Sequence, residues 1–591
     1  MASCAGLAVA AAAAYLNSFK APFVFDDLPA IVDNPTIRSL WPPGPALAPP
    51  PHATVSGRPI LNLSLALNHA IGGNRVEGYH AANLAIHILA GLALFGILRR
   101  LLAARPGPDL QGVEGLLAAF AIALIWLVHP LQTESVTYVV QRAESLMGLF
   151  YLLTLYGFLR GSAPDASRLW YGFSVMACLL GMATKEVMVT APLLVLLCDR
   201  TFVAGSFGGA WRLRRPYYIG LACTWLLLAF LMIGTHSRAG SAGFGVAVSW
   251  RDYALTQLQA IPHYLRLALW PSPLVFDYGT EFAPRGPWLL LPAAATALLG
   301  AVTGAALWRR PAVGFAGAWF LAILAPTSSV VPVATQVMAE HRMYLPLAAP
   351  IALAVLGIRA LAGRPGLFAV LGLGAVLACV TARRNEDYRS AFDLWSDTVA
   401  KRPGNARAQD GLGNALDRLG RGSESIACFA EAVRLQPGDA KLHNNLASAL
   451  AEQERYPEAT EHYREAIRLK PAYAEARYNL ANLLEDTGRL AEAIGQFEEA
   501  LRIKPDFEEA EDDLAIALMR SNRGDEAIAH HERALALKPD DAAAHYNFGL
   551  TLEQMGRMRD AIVQYESVLR LDAGHAEAKA RLARLRAVIP R

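Results

Sequence analysis

A chain of 591 residues with 54 Lys and Arg against 51 Asp and Glu carries a formal net charge of only +3, so composition offers no cationic surplus for a nucleic-acid partner. Hydrophobic residues make up 54% of it and mean hydropathy is +0.28, too apolar for a water-soluble protein unless the apolar residues are gathered into membrane segments. Six cysteines, Cys4, Cys178, Cys198, Cys223, Cys379 and Cys428, lack CxxC or His-linked spacing, and five lie in apolar runs, so neither a disulfide framework nor a zinc site is indicated.

From residue 1 to about 382 the chain is a series of apolar runs broken by Arg clusters, Pro and Gly. From Arg383 onward it is charged, Pro-punctuated and helical in pattern. The expected organisation is a membrane domain over 1–382, a linker helix over 383–402 and a repeat domain over 403–591. Candidate spans are 3–18, 80–99, 113–128, 144–160, 169–183, 187–199, 216–234, 288–308, 312–331, 343–360 and 365–382, about eleven in all; several are shorter than a free-standing crossing of roughly 20 residues, as in packed polytopic bundles.

Just past the first apolar run, Leu7 to Leu16, come two adjacent carboxylates, Asp26 and Asp27. Acids at the edge of hydrocarbon are costly unless solvated or paired, so the pair is a candidate site; the alternative is that it caps a turn starting near Pro29. Alternate loops carry Arg99, Arg100 and Arg105, then Arg160 and Arg168, then Arg200, Arg212, Arg214 and Arg215, then Arg309 and Arg310, then Arg359 and Arg364. By the positive-inside rule these loops and the amino terminus are cytoplasmic, and the 18–79 loop, 129–142, 185–186, 235–287, 340–342 and everything after Arg383 face the other side. The amphipathic stretch 254–270 is read as interfacial, because counting it as a span would reverse the parity of the later Arg loops.

Polar residues gather on that outer side: His129 and Glu134, Arg142 and Glu144, Lys185 and Glu186, then Glu340, His341 and Arg342. Any one pair could be interfacial residues snorkelling to water. Together, acids plus several cations at one membrane surface suit a site that binds an anionic lipid headgroup and moves a proton.

Pro403, Pro437, Pro471, Pro505 and Pro539 recur every 34 residues, the period of tetratricopeptide repeats, and predict about five helix pairs with a capping helix near 574–587. In register, Leu412, Leu446, Leu480, Leu514 and Phe548 form one packing position, and Ala459, Ala493, Ala527 and Ala561 mark close helix approaches. Gly420, Gly488 and Gly556 fall at the turn between paired helices, with Glu454 and Asn522 in the other two repeats. Asn445, Asn479 and Asn547 share one register position; a row of amides there could hydrogen-bond an extended peptide, or satisfy contacts within the helices.

The segments FVFDDLPAIVDNPTI, HPLQTESVTYVVQRAE, ATKEVMVTAPLL and EHRMYLPLA, combined with the repeats, give a chain that resembles the transmembrane and tetratricopeptide repeat O-mannosyltransferases over nearly its whole length. The resemblance implies an all-α fold, a GT-C-like polytopic helical bundle followed by a tetratricopeptide solenoid. It also implies a polyprenyl-phosphate sugar donor, serine or threonine hydroxyls of proteins as acceptor, and a first-loop acid as catalytic base. That acid falls on Asp27 or Asp26, with Asp27 favoured. Arg142, Lys185, His341 and Arg342 are then candidates for the phosphate side, with His129, Glu134, Glu144, Glu186 and Glu340 as site support. No metal cluster is indicated, although a divalent cation remains compatible with the acids. The Ala- and Arg-rich, Lys-poor composition points to a GC-rich bacterial source, hence an inner-membrane protein with periplasmic repeats, or lumenal repeats at the endoplasmic reticulum if eukaryotic. Competing readings are a membrane-anchored scaffold whose repeats recruit partners without catalysis, and a lipid-linked-sugar transporter, which would carry acids deep in its spans.

Overall fold

A computed structural model describes residues 1–51, 53–103, 112–234, 249–280, 282, 286–328 and 336–588. Among the described residues all regular structure is helical, and the chain divides into two compact units, Met1–Asn405 and Ala406–Arg591. Of the outer loop expected over 235–287, residues 235–248, 281 and 283–285 lie outside the described residues.

The principal helices of the first unit are α1 (Ala2–Tyr15), α2 (Pro59–Gly72), α3 (Val76–Ala103), α4 (Val113–Val128), α5 (Thr133–Thr137), α6 (Arg142–Gly161) and α7 (Leu169–Met182). They continue with α8 (Ala191–Cys198), α9 (Phe207–Gly234), α10 (Trp250–Leu269), α11 (Leu290–Arg309), α12 (Pro311–Leu324), α13 (Ala348–Asn385) and α14 (Ala391–Lys401). Proline opens α2 and α12 at the first helical position, where its missing N–H costs no bond. Long apolar side chains of α3, α4, α6 and α13 make one core in which Trp126, Phe158 and Leu127 are fully buried.

Five described helices are long and apolar enough to cross a membrane, or six if Val113–Val128 and the bent continuation Pro130–Thr137 count as one; Leu169–Met182 and Pro311–Leu324 are apolar but shorter. The segment expected as a span over 187–199 is different. Its regular α-helix, α8, has eight residues and continues directly from a 3-10 segment, Glu186–Thr190, into a π segment, Asp199–Val203, and it is not among the span-long apolar helices. The two spans expected over 343–360 and 365–382 form two helical stretches of α13 that meet at Gly363, whose φ of +58° only glycine adopts without strain. Glu114, at the start of α4, receives Arg359 at 2.8 Å and Arg364 at 2.7 Å, one from each side of the break.

These contacts define two ends of the bundle. At one lie Gly363 with its flanking arginines and the start of α4. At the other, 14 residues and about 21 Å along α4, Thr381 donates to the Val128 carbonyl at 2.7 Å and Asn385 to the Ala14 carbonyl at 2.9 Å. Helix α10 buries one face at Tyr253, Gln257, Ala260, Ile261 and Tyr264, the pattern of an amphipathic helix, and it is not among the span-long apolar helices.

In the second unit, α15 (Ala406–Arg418) to α24 (Met558–Leu571) pair in sequence as α15/α16 (Gly422–Leu435), α17 (Ala440–Glu452)/α18 (Tyr456–Leu469), α19 (Ala474–Asp486)/α20 (Leu490–Ile503), α21 (Glu508–Arg520)/α22 (Gly524–Leu537) and α23 (Ala542–Gln554)/α24, followed by α25 (Ala576–Val588). Ala459, Ala493, Ala527 and Ala561 are fully buried, because a larger side chain there would push paired helices apart. Gly420, Gly488 and Gly556 have φ of +71°, +76° and +74°, and Glu454 and Asn522 take up the same left-handed backbone at +58° and +59°. The turn geometry thus repeats even where its residue does not.

Candidate functional site

The site-bearing segments meet at the bundle end that holds Val128 and Asn385, and α3 draws them there. Its polar residues His80, Asn83 and His87 fall at three- and four-residue intervals on one face and are all buried. His80 Nε2 pairs with the Ala21 carbonyl at 2.9 Å, anchoring the stretch that leads to Asp26. Asn83 donates to the Val136 and Val139 carbonyls at 3.1 and 3.3 Å, and His87 Nδ1 meets the Tyr344 hydroxyl at 3.0 Å. One helix face therefore holds the first loop, the 129–142 segment and the 340–344 turn. Sequence reasoning missed this stripe, although polar residues at helical spacing inside an apolar run are its signal.

Asp26 and Asp27 have different surroundings. Asp27 is fully buried; its Oδ1 accepts the Val140 N–H at 2.7 Å and its Oδ2 the Val24 N–H at 3.1 Å. Burial pushes its carboxyl up to about 8, against the pull of those two amides. Asp26 is partly exposed, and its backbone N–H donates to the Tyr138 hydroxyl at 2.9 Å. It follows Phe25, a non-glycine residue at φ +47° whose ring packs edge-on against Trp395 of α14 and Phe276, at 5.4 and 6.3 Å between centroids. Asp27 ties the loop down, and Asp26 beside it is partly exposed.

Glu134, His341, Glu144 and Lys185 form a buried cluster, and Tyr138 lies within electrostatic reach of both Asp26 and Glu134. The Glu134 carboxylate accepts the His341 ring Nδ1–H at 2.6 Å and the His341 backbone N–H at 2.9 Å. His341 Nε2 stands 4.0 Å from Glu144 Oε1, which accepts from Lys185 Nζ at 2.6 Å. Burial, reinforced by the Lys185 charge, holds the His341 ring well below its ordinary range, and burial pushes the Glu134 carboxyl up to about 8. Burial also lowers the Lys185 ammonium, with Glu144 opposing. Glu186 is partly exposed and lies 3.6 Å from Arg58, a cation that sequence reasoning did not select.

Three expected residues do other work. The Arg142 guanidinium is spent on Asn83 Oδ1 at 2.6 Å and on the Ser64 and Tyr79 carbonyls at 3.0 and 3.1 Å. Arg342 grips the Thr327 and Val337 carbonyls at 2.8 and 3.1 Å, the Gln336 carbonyl and the Tyr253 hydroxyl of α10. His129 caps its own turn, accepting the Leu131 N–H at 3.2 Å, and its other ring nitrogen meets the Ala268 carbonyl at 3.2 Å. These side chains build the walls around the polar cluster. Glu340 accepts the Val275 N–H at 2.6 Å and the Tyr278 hydroxyl at 2.8 Å, and burial pushes it up to about 7. Among the described residues no group of three or more His, Cys, Asp or Glu could hold a metal ion.

In the repeat unit, the Asn row bonds between successive repeats. Asn445 Nδ2 donates to Asp410 at 2.7 Å, Asn479 to Asn444 at 3.1 Å and Asn547 to Asp512 at 2.7 Å, and Tyr478 donates to Asp513 at 2.7 Å. Each partner lies 35 residues earlier or later, one repeat plus one position. The amide donors serve first to lock the solenoid's register, while the three Asn side chains stay partly exposed.

Residues 380–440 and 444–506 match a tetratricopeptide repeat family model, 515–556 a TPR repeat model and 542–575 a further tetratricopeptide repeat model. Protein O-mannosyl-transferase Tmtc1 of Drosophila melanogaster is 30% identical over 318 residues, which cover 48% of this chain and 35% of that protein. Tmtc2 of the same organism is 30% identical over 293 residues, 46% of this chain and 30% of the relative. Tmtc3, again from Drosophila melanogaster, is 26% identical over 509 residues, 72% of this chain and 54% of the relative. The chain thus spans about a third of the length of the first two relatives and about half of the third. The matches, an all-helical first unit with membrane-length apolar helices and a tetratricopeptide array agree: this chain carries tetratricopeptide repeats and is similar to the transmembrane and tetratricopeptide repeat protein O-mannosyl-transferases.

Proposed function

We propose that this chain is a membrane glycosyltransferase that moves a sugar, mannose or a close relative, from a polyprenyl-phosphate donor to serine or threonine hydroxyls of a protein. The observation that carries the reading is the convergence, at one end of an apolar helical bundle, of a partly exposed Asp26 with the buried Glu134–His341–Glu144–Lys185 cluster. Asp26 is the general base: its carboxylate takes the hydroxyl proton as the hydroxyl oxygen bonds to the anomeric carbon. The bond from that carbon to the phosphate oxygen breaks, and the electron pair leaves with the lipid phosphate. Lys185 is the cation for that departing charge; one donor rests on Glu144 and two remain to turn toward phosphate. Glu134 and His341 hold Glu144 and Lys185 in place, and Asp27 positions the Asp26 loop. The acceptor polypeptide binds the repeat unit, where the partly exposed Asn445, Asn479 and Asn547 offer side-chain amides to the peptide backbone. The membrane orientation that fits is the one with the basic loops cytoplasmic and both the site and the repeats on the far side.

The test is purified full-length protein incubated with radiolabelled polyprenyl-phosphate sugars and a pool of Ser/Thr-containing peptides. The reading expects label in peptide, released by alkaline β-elimination. Absence of transfer from every polyprenyl-phosphate sugar offered, by protein that remains folded, contradicts it.

A further inference from the structure

A cavity of about 400 Å³ lies among α3, α6, α12 and α13, with Phe202 at one side. Its walls are apolar, including Leu98, Leu101, Ala316 and Trp319, and α13 contributes small residues such as Ala352 and Gly357 where a larger side chain would close it. Gly357 is exposed and a Cβ built there meets no atom within 4 Å, so the hollow is open along this edge. The one charged lining residue is Arg310, exposed at the turn between α11 and α12 beside Arg309. Along α13 the lining runs from Ala348 to Ala360, about 18 Å at 1.5 Å per residue, slightly more than half of the roughly 30 Å hydrocarbon core. Ala360 is one residue beyond Arg359, so the hollow descends from the Arg359–Arg364 end of the bundle and its charged mouth lies at the end opposite Asp26 and Lys185.

An apolar hollow of this length has no polar groups to hold water, and in a bilayer the hydrocarbon around it supplies a filling. We infer that it is a binding site for one anionic phospholipid of the leaflet that faces the basic loops: an acyl chain fills the hollow and the headgroup phosphate meets Arg310. One leaflet is about half the core thickness, which matches the hollow's length, and Arg310 at the mouth, with Arg309 beside it, favours a net negative headgroup. A donor lipid with its phosphate at the far-end site would leave Arg310 unused. The inference does not depend on the glycosyl-transfer reading.

The protein in detergent is exposed to equal amounts of phosphatidylglycerol and phosphatidylcholine, and retained lipid is counted by native mass spectrometry. Wild type retains one phosphatidylglycerol. Arg310→Gln, an exposed change that leaves folding untouched, removes the preference over phosphatidylcholine. Gly357→Leu, which fills the hollow from a position with free space, lowers retention by about tenfold at an unchanged elution volume. Equal retention of both lipids by wild type, retention unaffected by Gly357→Leu, or displacement of the phospholipid by an equal amount of undecaprenyl phosphate would overturn the assignment.

Discussion

Two neighbouring acids divide the work at the residue scale, and their environments say how. Asp27 has both oxygens on backbone amides in a fully buried place, so its contribution is to loop geometry. An Asn at 27 keeps one acceptor and turns an N–H₂ toward an amide donor, which costs about 1–3 kcal/mol of stability. Glu340 adds a pH signature. Its carboxyl is raised from 4.5 to about 7, so between those values the folded protein holds a proton that the unfolded chain has released. Stability therefore falls as pH rises through that window, by at most about 1.4 kcal/mol per pH unit, and the loss is complete above about 7. Thermal melts from pH 4 to 8 are expected to show that decline in wild type and a flatter profile in Glu340→Gln, whose Oε1 still accepts from Val275 and Tyr278. The charges of this site are legible in the sequence as residue types at one membrane face. Their roles are not: Arg142 and Arg342 look like free cations until chain folding delivers Ser64, Tyr79, Thr327 and Val337 carbonyls to them.

At the scale of elements, the repeats were readable because each packing contact recurs within 34 residues, so Leu446, Leu480 and Ala493 announce their burial by position alone. What the period does not reveal is the cost of leaving it. Glu454 and Asn522 occupy a left-handed turn that glycine fills elsewhere, and a Cβ there costs about 1–2 kcal/mol, less where a short polar side chain hydrogen-bonds locally. Glu454→Gly is expected to raise the stability of the array by about 1 kcal/mol in chemical denaturation, and the Asn522→Gly gain is expected to be smaller. In the membrane half, hydropathy identifies apolar stretches but not their breaks. Gly363 divides α13 into two helical stretches, and the helical stretch around α8 changes type twice, from 3-10 to α to π, which apolar composition does not announce.

Across the whole molecule, the membrane unit places its polar chemistry at one end and its arginine-flanked Gly363 turn at the other, an arrangement that the Arg spacing of the loops already suggested. The site joins residues 26, 134, 144, 185 and 341, contacts too distant in sequence to carry any period, and the polar stripe of α3 is what assembles them. In the proposed mechanism Asp26 takes the acceptor proton while Asp27 holds the loop. The direct measurement is kcat for sugar transfer by Asp26→Asn and Asp27→Asn, each paired with its melting temperature. The account predicts that Asp26→Asn loses at least about 100-fold in kcat at wild-type stability, the loss typical of a missing general base. It predicts that Asp27→Asn melts lower but keeps more of its turnover. Wild-type turnover in Asp26→Asn, or a complete loss in Asp27→Asn with no change in melting, would contradict it.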